Sequence, residues 1–351
     1  MNMSYMMEFE INSQGVILEN LINKYIENYC VLLDVPQDIR RVVLIASGSS
    51  YNAALLGKYF FENISNIEAS VEFASEFTNS KFNNFDKNAL YIFISQSGKS
   101  IDTLSAFRKV KEQNVTTLSL TNNEDSPLYM ESDYKFNIQA GTENAIAATK
   151  TFSASVLMLW LLACKIAQNK LLDISDEIQN IYQLGKNIEN TVSNIDNLDV
   201  VAKYISKQKD FSIAGFRCYF PLARECALKI KETSYINTSS YPLGEFIHGH
   251  FALLNKSKTF LCFMTQDCSE YELSLLKKII KTYRPKTIIA SDIYEDFDGD
   301  MLIKIPKSTS KIATIMNLII MIQVLAYKVA LILKRDVDKP LGLNKIVDKE
   351  K

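Results

Sequence analysis

The sequence predicts an α/β protein that contains two doubly wound parallel sheets, each flanked by helices. Short runs of β-branched and aromatic residues alternate with longer helical stretches, and such alternation is typical of parallel sheets covered on both faces. The pattern starts again in the second half of the chain. A length of 351 residues also favours two domains of similar size. We therefore expect two related α/β domains in tandem.

The first half begins with a helix and then alternates strands with helices. Apolar residues at helical spacing predict the first helix, and short runs rich in valine and isoleucine predict buried strands. In chain order we predict a helix over 17–33, a strand over 41–46, a helix over 52–62, a strand over 89–94, a helix over 101–113, a strand over 115–120 and a largely apolar helix over 144–170.

The second half repeats this design after a polar, helix-like segment with no strand pattern. We predict strands over 211–214, 259–264, 287–290 and 302–305, and helices over 221–232, 270–283 and 312–333. The predicted organisation is an N-terminal helix within 1–34, a first domain over 35–170, a helical linker over 171–199, a second domain over 200–334 and a polar tail over 335–351.

Composition excludes several classes of protein and site. The net charge of −1 provides no global field for nucleic acid or an anionic membrane. Six scattered cysteines without a C-x-x-C pair indicate reduced thiols rather than disulfides or a zinc site, and His248 and His250 are the only histidines. The first ten residues lack a signal-peptide pattern. The apolar run 156–164 is too short to span a bilayer and the run 315–333 is interrupted by polar residues, so we expect a cytoplasmic protein. The small number of histidines and the absence of a C-x-x-C pair also lead us to expect no bound metal.

Two serine-rich loops follow predicted strands. Residues 47–50 read S-G-S-S and residues 95–100 read S-Q-S-G-K-S, and each precedes a helix. In doubly wound sheets ligands bind at such strand ends, where helix amides and hydroxyl groups suit an oxyanion such as a sugar phosphate. Neither loop is a Walker or a dinucleotide-binding motif. The alternative is that these serines are ordinary helix caps, but two serine-dense loops in one half favour phosphate binding.

Three further features carry chemistry only if the fold brings them together. Glu225, Lys229 and Glu232 have helical spacing on one face, which is more often a solvated charge ladder than a site. His248 lies in a glycine-flanked loop and could move a proton near neutral pH. Lys345 lies in a polar tail, where a lysine is normally solvated.

Taken together, the motifs make the chain similar to the sugar isomerase (SIS) family, in the form of the domain pair that makes up the synthase half of glucosamine-6-phosphate synthase. The resemblance covers nearly the whole length. It rests on S-G-S-S-Y-N at 47–52, S-Q-S-G-K-S-I-D-T-L at 95–104, A-G-T-E-N-A-I-A-A-T-K at 140–150, E-C-A-L-K-I-K-E-T-S-Y at 225–235, G-E-F-I-H-G at 244–249, and V-D-K-P with N-K-I-V at 337–347.

The resemblance implies a role for each matching residue. It implies that phosphate and sugar hydroxyls are bound by Ser49, Ser50, Ser95, Gln96, Ser97 and Ser100. Glu232 would carry the proton between C1 and C2, and His248 would open the sugar ring from the neighbouring subunit of a homodimer. Lys345 would form a Schiff base with the ketose. Lys229 would lie near the reacting oxygens and Glu225 would orient it. No cofactor is implied.

Some positions depart from the family pattern. Lys99 replaces an acidic residue, Ala148 replaces a serine, and His250 stands where proline is usual. The family's full enzyme also has an N-terminal glutaminase domain that starts with a cysteine, whereas no cysteine precedes Cys30 here. We therefore expect a glucosamine-6-phosphate deaminase/isomerase. The alternatives are a fructoselysine-6-phosphate-type deglycase, a synthase-type aminotransferase that uses free ammonia, and a non-catalytic sugar-phosphate sensor.

Overall fold

A computed structural model describes residues 5–81, 84–193, 195, 197–293, 297–308 and 310–345. The predicted N-terminal and C-terminal segments reach residues 1 and 351, so their ends at 1–4 and 346–351 lie outside the described residues. By contacts the chain forms two compact units. Among the described residues, the first unit comprises 14–143, 148–185 and 344–345, and the second comprises 5–13, 144–147 and 186–343. Residues 171–199, predicted as a linker, are divided between the two units.

The helices and strands alternate along most of the chain. The helices are α1 (Met6–Asn12), α2 (Gln14–Tyr25), α3 (Gly48–Asn63), α4 (Ala74–Asn79), α5 (Ile101–Lys111), α6 (Pro127–Glu131), α7 (Lys150–Asn169), α8 (Ser175–Gln179), α9 (Leu184–Ser193), α10 (Leu198–Ile205), α11 (Tyr219–Ser234), α12 (Glu270–Tyr283) and α13 (Lys311–Ile332). The strands are β1 (Ile26–Glu27), β2 (Cys30–Val31), β3 (Arg41–Ala46), β4 (Glu68–Phe73), β5 (Ala89–Ile94), β6 (Thr117–Thr121), β7 (Tyr134–Asn137), β8 (Asp210–Gly215), β9 (Asn237–Pro242), β10 (Thr259–Phe263), β11 (Lys286–Ser291) and β12 (Met301–Lys304).

The first unit contains a five-stranded parallel sheet in the order β4-β3-β5-β6-β7. The chain enters at β3, adds β4 on one side and then crosses to β5 on the other. The direction of winding therefore reverses between β3 and β5, and the crevice at the carboxyl ends of these two strands is the topological switch point. Gly57 lets α3 approach closely, because a Cβ there would lie 3.0 Å from Leu44 of β3 and 3.2 Å from Leu159 of α7.

The second unit contains a sheet of the same topology. Its strands are parallel in the order β12-β11-β10-β8-β9, so that the switch point lies between β8 and β10. The central strands β8 and β10 are almost entirely buried, as expected for strands covered by helices on both faces. Two parallel sheets flanked by helices confirm the predicted α/β class.

Two helices are long and apolar enough to cross a membrane by length and composition alone. They are α7, with 20 residues, and α13, with 22 residues. Their apolar windows are 89% and 83% buried by the rest of the chain, which is the environment of core helices. The apolar run 156–164, predicted as too short to span a bilayer, lies within the longer helix α7, as the helix prediction for this region implied.

The strand predictions 41–46 and 89–94 and the helix prediction 270–283 are confirmed at their bounds. The helix prediction 17–33 is wrong beyond Tyr25, because Asn28 and Tyr29 adopt positive φ angles in a hairpin between β1 and β2. The helix predicted from residue 144 begins only at Lys150. Strands β4, β7 and β9 were not predicted, since many of their side chains are only half buried and they lack a continuous apolar run.

Candidate active site

The two serine-rich loops lie side by side at the switch point of the first sheet. Strands β3 and β5 pair in parallel with Ala46 opposite Ile94, so the loops that follow them share one edge of the sheet. Ser49 and Ser50 occupy the first turn of α3, half buried. The stretch 95–100 connects β5 to α5 and is half buried apart from buried Ser95 and Gly98 and exposed Lys99. Two helix N-termini therefore begin at the place where this topology binds ligands.

Capping geometry distinguishes these serines from ordinary helix caps. Ser126, Ser269 and Ser310 each accept a hydrogen bond from a first-turn amide of the helix that they precede. Ser47 and Ser100 occupy the same position before α3 and α5 but make no side-chain cap in the part of the chain that the structure describes. Neither Ser47 nor Ser100 thus uses its side chain as a helix cap, which favours an anion over the capping interpretation at these two loops.

The second loop is shaped by Gly98. Its φ of +61° lies in the left-handed region, and its amide donates to both the carbonyl and the Oγ of Ser95. A Cβ at this position would lie 2.1 Å from Ser126 Oγ and 3.0 Å from Thr121 Oγ1. The amide of Lys99 in turn donates to Ser97 Oγ over 3.2 Å. Only glycine therefore permits this tight turn against the neighbouring segment.

We expect Gly98→Ala to weaken sugar-phosphate binding at least tenfold, because the methyl group has to displace Ser126 and thereby open the loop. Gly48→Ala is the matched control. Gly48 has a similar φ of +58° but nothing within 4 Å of its Cβ position, so its cost is the backbone strain alone, about 1–2 kcal/mol. Titration calorimetry with fructose 6-phosphate measures both. Equal dissociation constants for the two variants would contradict the steric argument.

Lys345 from the predicted tail belongs to the same unit as these loops. Its Nζ lies 2.5 Å from Oε2 of Glu143, whose side chain is fully buried. Burial alone raises the pKa of the Glu143 carboxyl, but Lys345 and hydrogen bonds from Thr149 and Thr151 outweigh it and hold the pKa below its usual range. The tail lysine is thus part of a defined ion pair.

The charged face of α11 lies in the second unit and is not a solvated ladder. Lys229 is fully buried, with its Nζ 2.6 Å from Oε2 of Glu232 and 3.5 Å from Oε1 of Glu225. The side chain of Glu225 is 2% exposed and that of Glu232 is 22% exposed. Helix α11 packs against α13, where Thr233 Oγ1 also donates to the carbonyl of Ala326. A buried lysine between two carboxylates, one of which still reaches solvent, has the composition of a proton-transfer site.

His248 is exposed in the second unit, directly after a 3₁₀ helix at Leu243–Ile247. Its amide donates to the carbonyl of Glu245, and no hydrogen bond or ion pair joins its ring to the α11 cluster within the described residues. His250, by contrast, packs on Tyr241 with ring centroids 4.1 Å apart. Because the imidazole of His248 is exposed, it is accessible to another subunit.

The predicted residues therefore fall into two groups. The first unit brings together the serine loops and, with Glu143, Lys345. The second unit brings together Glu225, Lys229 and Glu232 on α11 and carries His248 apart from them. No group of three or more histidine, cysteine, aspartate or glutamate side chains suited to a metal occurs among the described residues.

Comparisons with known proteins identify relatives of this chain. The profile described as "SIS domain" matches residues 37–165, which include both serine loops. Glutamine–fructose-6-phosphate aminotransferase (isomerizing) from Buchnera aphidicola is 34% identical over 317 residues, which is 89% of this chain and 52% of that protein. The enzyme of the same name from Campylobacter jejuni is 30% identical over 99% of this chain and 58% of its own length. The chain thus spans a little more than half the length of these relatives.

Solved structures extend the comparison over the whole chain. The C-terminal domain of glucosamine-fructose-6-phosphate aminotransferase from Francisella tularensis has a TM-score of 0.90 and 28% identity, and the match covers 96% of this chain and 99% of that one. This chain contains a SIS domain, matched over residues 37–165. Glucosamine-6-phosphate deaminase from Thermotoga maritima is a second structural relative, with a TM-score of 0.76, 25% identity and coverage of 97% and 99%.

The second switch point of this SIS protein differs chemically from the first. Beside β8 and β10, Asp267 accepts hydrogen bonds from Tyr219 and Thr265 and pairs with Lys311. Arg217, at φ +44°, pairs with Glu272 over 3.0 Å. Here the protein's own carboxylates take the donors that an anion would use. The duplicated topology therefore carries serine loops without side-chain caps at the first switch point and mutually paired charged side chains at the second.

Sequence reasoning assigned no role to Glu143, although it lies within the motif at 140–150. The available signal was weak: a carboxylate is followed six and eight residues later by Thr149 and Thr151 at a helix start. Such a pattern does not reveal that the carboxylate bends back onto that helix. The ion pair with Lys345 spans about two hundred residues of sequence and is visible only in the fold.

Proposed function

We propose that this chain acts on 6-phosphorylated sugars as a glucosamine-6-phosphate deaminase/isomerase. The observation that carries the proposal is the cluster on α11, where Lys229 is fully buried between Glu225 and the partly exposed Glu232. Burying a lysine and a glutamate costs free energy that a solvated ladder would avoid, and such arrangements concentrate at functional sites. The full-length structural match to a deaminase supports the same reaction class.

The uncapped serine loops of the first unit bind the phosphate in this proposal. Amides at the starts of α3 and α5 point toward an oxyanion, and their partial positive charge favours it. The hydroxyl and amide groups that contact the phosphate and nearby sugar hydroxyls belong to Ser49, Ser50, Ser95, Gln96, Ser97 and Ser100. Binding the phosphate end holds the rest of the small molecule in place for chemistry.

The reacting end of the sugar is handled by four side chains. His248, contributed by the neighbouring subunit of a homodimer, protonates the ring oxygen and opens the ring. Lys345 forms an imine with the C2 carbonyl of the open-chain ketose. Glu232 carries a proton between C1 and C2, which interconverts ketose and aldose forms. Lys229 donates to the reacting oxygens, and Glu225 orients it.

The overall conversion balances as glucosamine 6-phosphate plus water giving fructose 6-phosphate plus ammonia. No oxidation occurs, because one carbon gains the hydrogen that its neighbour loses. The residues named above provide the proton transfers in either direction, since a catalyst accelerates the forward and reverse reactions alike.

The second candidate is the same conversion run toward glucosamine 6-phosphate with ammonia supplied to the site. The TM-score of 0.90 to an aminotransferase domain, and relatives at 30–34% identity with that name, favour it. It uses the same residues, so the difference between the candidates is the direction that is used and the source of ammonia.

Turnover assays distinguish these candidates. Purified protein is incubated with glucosamine 6-phosphate, with fructose 6-phosphate plus ammonium, and with fructoselysine 6-phosphate, while ammonia, lysine and the hexose phosphates are quantified. We expect ammonia release from the first substrate. Lysine release would instead identify a deglycase. Tight binding without any turnover would identify a sensor and contradict the proposal.

A further inference from the structure

Glu143 makes an unusual number of contacts for a buried carboxylate. Its Oε1 accepts hydrogen bonds from the amide of Thr149 at 2.9 Å, from the Thr149 hydroxyl at 3.2 Å and from the amide of Thr151 at 3.1 Å. Its Oε2 accepts one from the Thr151 hydroxyl at 2.7 Å and faces Lys345 Nζ at 2.5 Å. Both oxygens are therefore fully engaged, four times by the start of α7 and once by the lysine.

This environment keeps the carboxylate charged although water does not reach it. An isolated buried carboxylate is strongly disfavoured, but one that accepts several hydrogen bonds at a helix N-terminus next to an ammonium group is stabilised as an anion. The helix contacts do not depend on the lysine. Glu143 is thus a fixed negative charge to which the ammonium group of Lys345 is held.

The segment that carries Glu143 is also tied to the phosphate loop. Asn122 donates through Nδ2 to the carbonyl of Gly141 at 2.7 Å and accepts from the amide of Ala140 at 2.9 Å. The amide of Asn122 donates to the carbonyl of Gln96 at 3.0 Å. Hydrogen bonds through Asn122 therefore tie the loop after β5 to Gly141, two residues before Glu143, within the first unit. We infer that this connection sets the spacing between a phosphate at the loop and Lys345.

We propose that Glu143 is a positioning residue that aims Lys345 at the substrate and remains its counterion in the protonated imine. The inference rests on the proposed function, in which Lys345 condenses with a ketose phosphate. This arrangement sets a condition on the substrate. The distance between its carbonyl and its phosphate has to match the spacing that the hydrogen bonds of Asn122 set between the phosphate loop and Lys345. We expect an open-chain 6-phosphoketose to meet this condition.

The proposed step conserves atoms and charge. An ammonium group and a carbonyl become a protonated imine and one molecule of water: a carbon–nitrogen double bond replaces the carbon–oxygen double bond, and two of the three ammonium hydrogens leave with the former carbonyl oxygen as water. One positive charge faces Glu143 before and after the step. A fixed buried anion therefore stabilises both states without reorganisation.

Borohydride trapping with peptide mapping tests this inference. Borohydride reduces a protonated imine to a stable secondary amine, so we measure the rate at which fructose 6-phosphate is attached to Lys345 at saturating concentration, together with its dissociation constant. We expect Glu143→Gln to reduce the trapping rate at least thirtyfold while the dissociation constant changes less than threefold. Glu143→Asp, which keeps the charge but shortens the reach, should fall between wild type and Glu143→Gln.

Asp133→Asn is the matched control. Asp133 also pairs with a lysine, Lys111, and accepts two hydrogen bonds from Thr117, but it directly precedes β7 and contacts the first residue of β6, whereas the phosphate loop follows the end of β5. We expect it to trap at the wild-type rate. Wild-type trapping by Glu143→Gln, or a loss of trapping matched by an equal loss of affinity, would overturn the positioning role.

Two further results keep the inference separate from the proposed function. If wild-type protein forms no adduct, or if the adduct persists in Lys345→Ala, the proposed imine at Lys345 is wrong. If Glu143→Gln does not fold by circular dichroism, Glu143→Asp decides: a several-fold slower trapping with unchanged affinity supports the role, and an unchanged trapping rate overturns it.

Discussion

Glu232→Gln is expected to lower the turnover number on glucosamine 6-phosphate by about 10²–10⁴-fold, the usual range for a lost general base. Glutamine has nearly the same shape and keeps an oxygen that Lys229 Nζ can contact, as it now does at 2.6 Å. It cannot take up a proton from carbon. The serine loops lie in the other unit and are untouched, so the dissociation constant for fructose 6-phosphate should change less than a few-fold. Steady-state kinetics and calorimetry measure the two quantities.

Two variants serve as controls for this expectation. Glu245→Gln neutralises an exposed carboxylate of the same unit and should leave the turnover number unchanged. Ser97→Ala should mainly raise KM, because it removes a hydroxyl from the phosphate loop and leaves the proton-transfer group in place. A Glu232→Gln protein with the wild-type turnover number would disprove the assigned role.

Lys229→Met is expected to destabilise the second unit by about 3–5 kcal/mol, which is the usual cost of removing one partner of a buried ion pair while the other stays buried. Methionine fills most of the volume, but Glu225, with a side chain that is 2% exposed, loses the ammonium group at 3.5 Å. For a unit of this size the loss corresponds to a fall in melting temperature of roughly 6–20 °C. Calorimetric scanning and circular dichroism measure it.

The double variant Glu225→Gln/Lys229→Met separates charge from packing. It should recover most of the loss, because no buried charge then lacks its counterion and the partly exposed Glu232 can be hydrated. Lys258→Met breaks an exposed pair with Asp210 in the same unit and should cost less than about 1 kcal/mol. A double variant as unstable as Lys229→Met would show that volume, not charge, is responsible.

The central strands could be predicted because they are buried on both faces, and such burial requires consecutive apolar residues in the sequence. At 41–46 and 89–94, β-branched and aromatic side chains are needed on both faces, so the apolar runs end where the strands end. The edge strand β4 has a single buried residue and includes glutamates, and no local pattern separates it from a loop. Strand order is likewise nonlocal, since the switch point between β3 and β5 depends on where β4 pairs.

The candidate site shows the same division. Serines at strand ends and the six motifs indicated the family, and the serine-rich loops follow β3 and β5 at one edge of the sheet, as the sequence predicted. Spacing on α11 favoured a solvated ladder, and this interpretation is wrong because Lys229 is fully buried in a helix that packs against α13 among other elements. Spacing is a local property, whereas burial depends on which element covers a face, and that element is about a hundred residues away.

Residue order along the chain thus established the α/β class, the central strands, the family and the side chains able to do chemistry, because each depends on neighbours within a few positions. Folding alone established which of those side chains lose contact with water and which partners they meet. The pairing of Glu143 with Lys345 is the clearest case. Glu143 can position the lysine only because folding brings these two distant segments of the chain into contact.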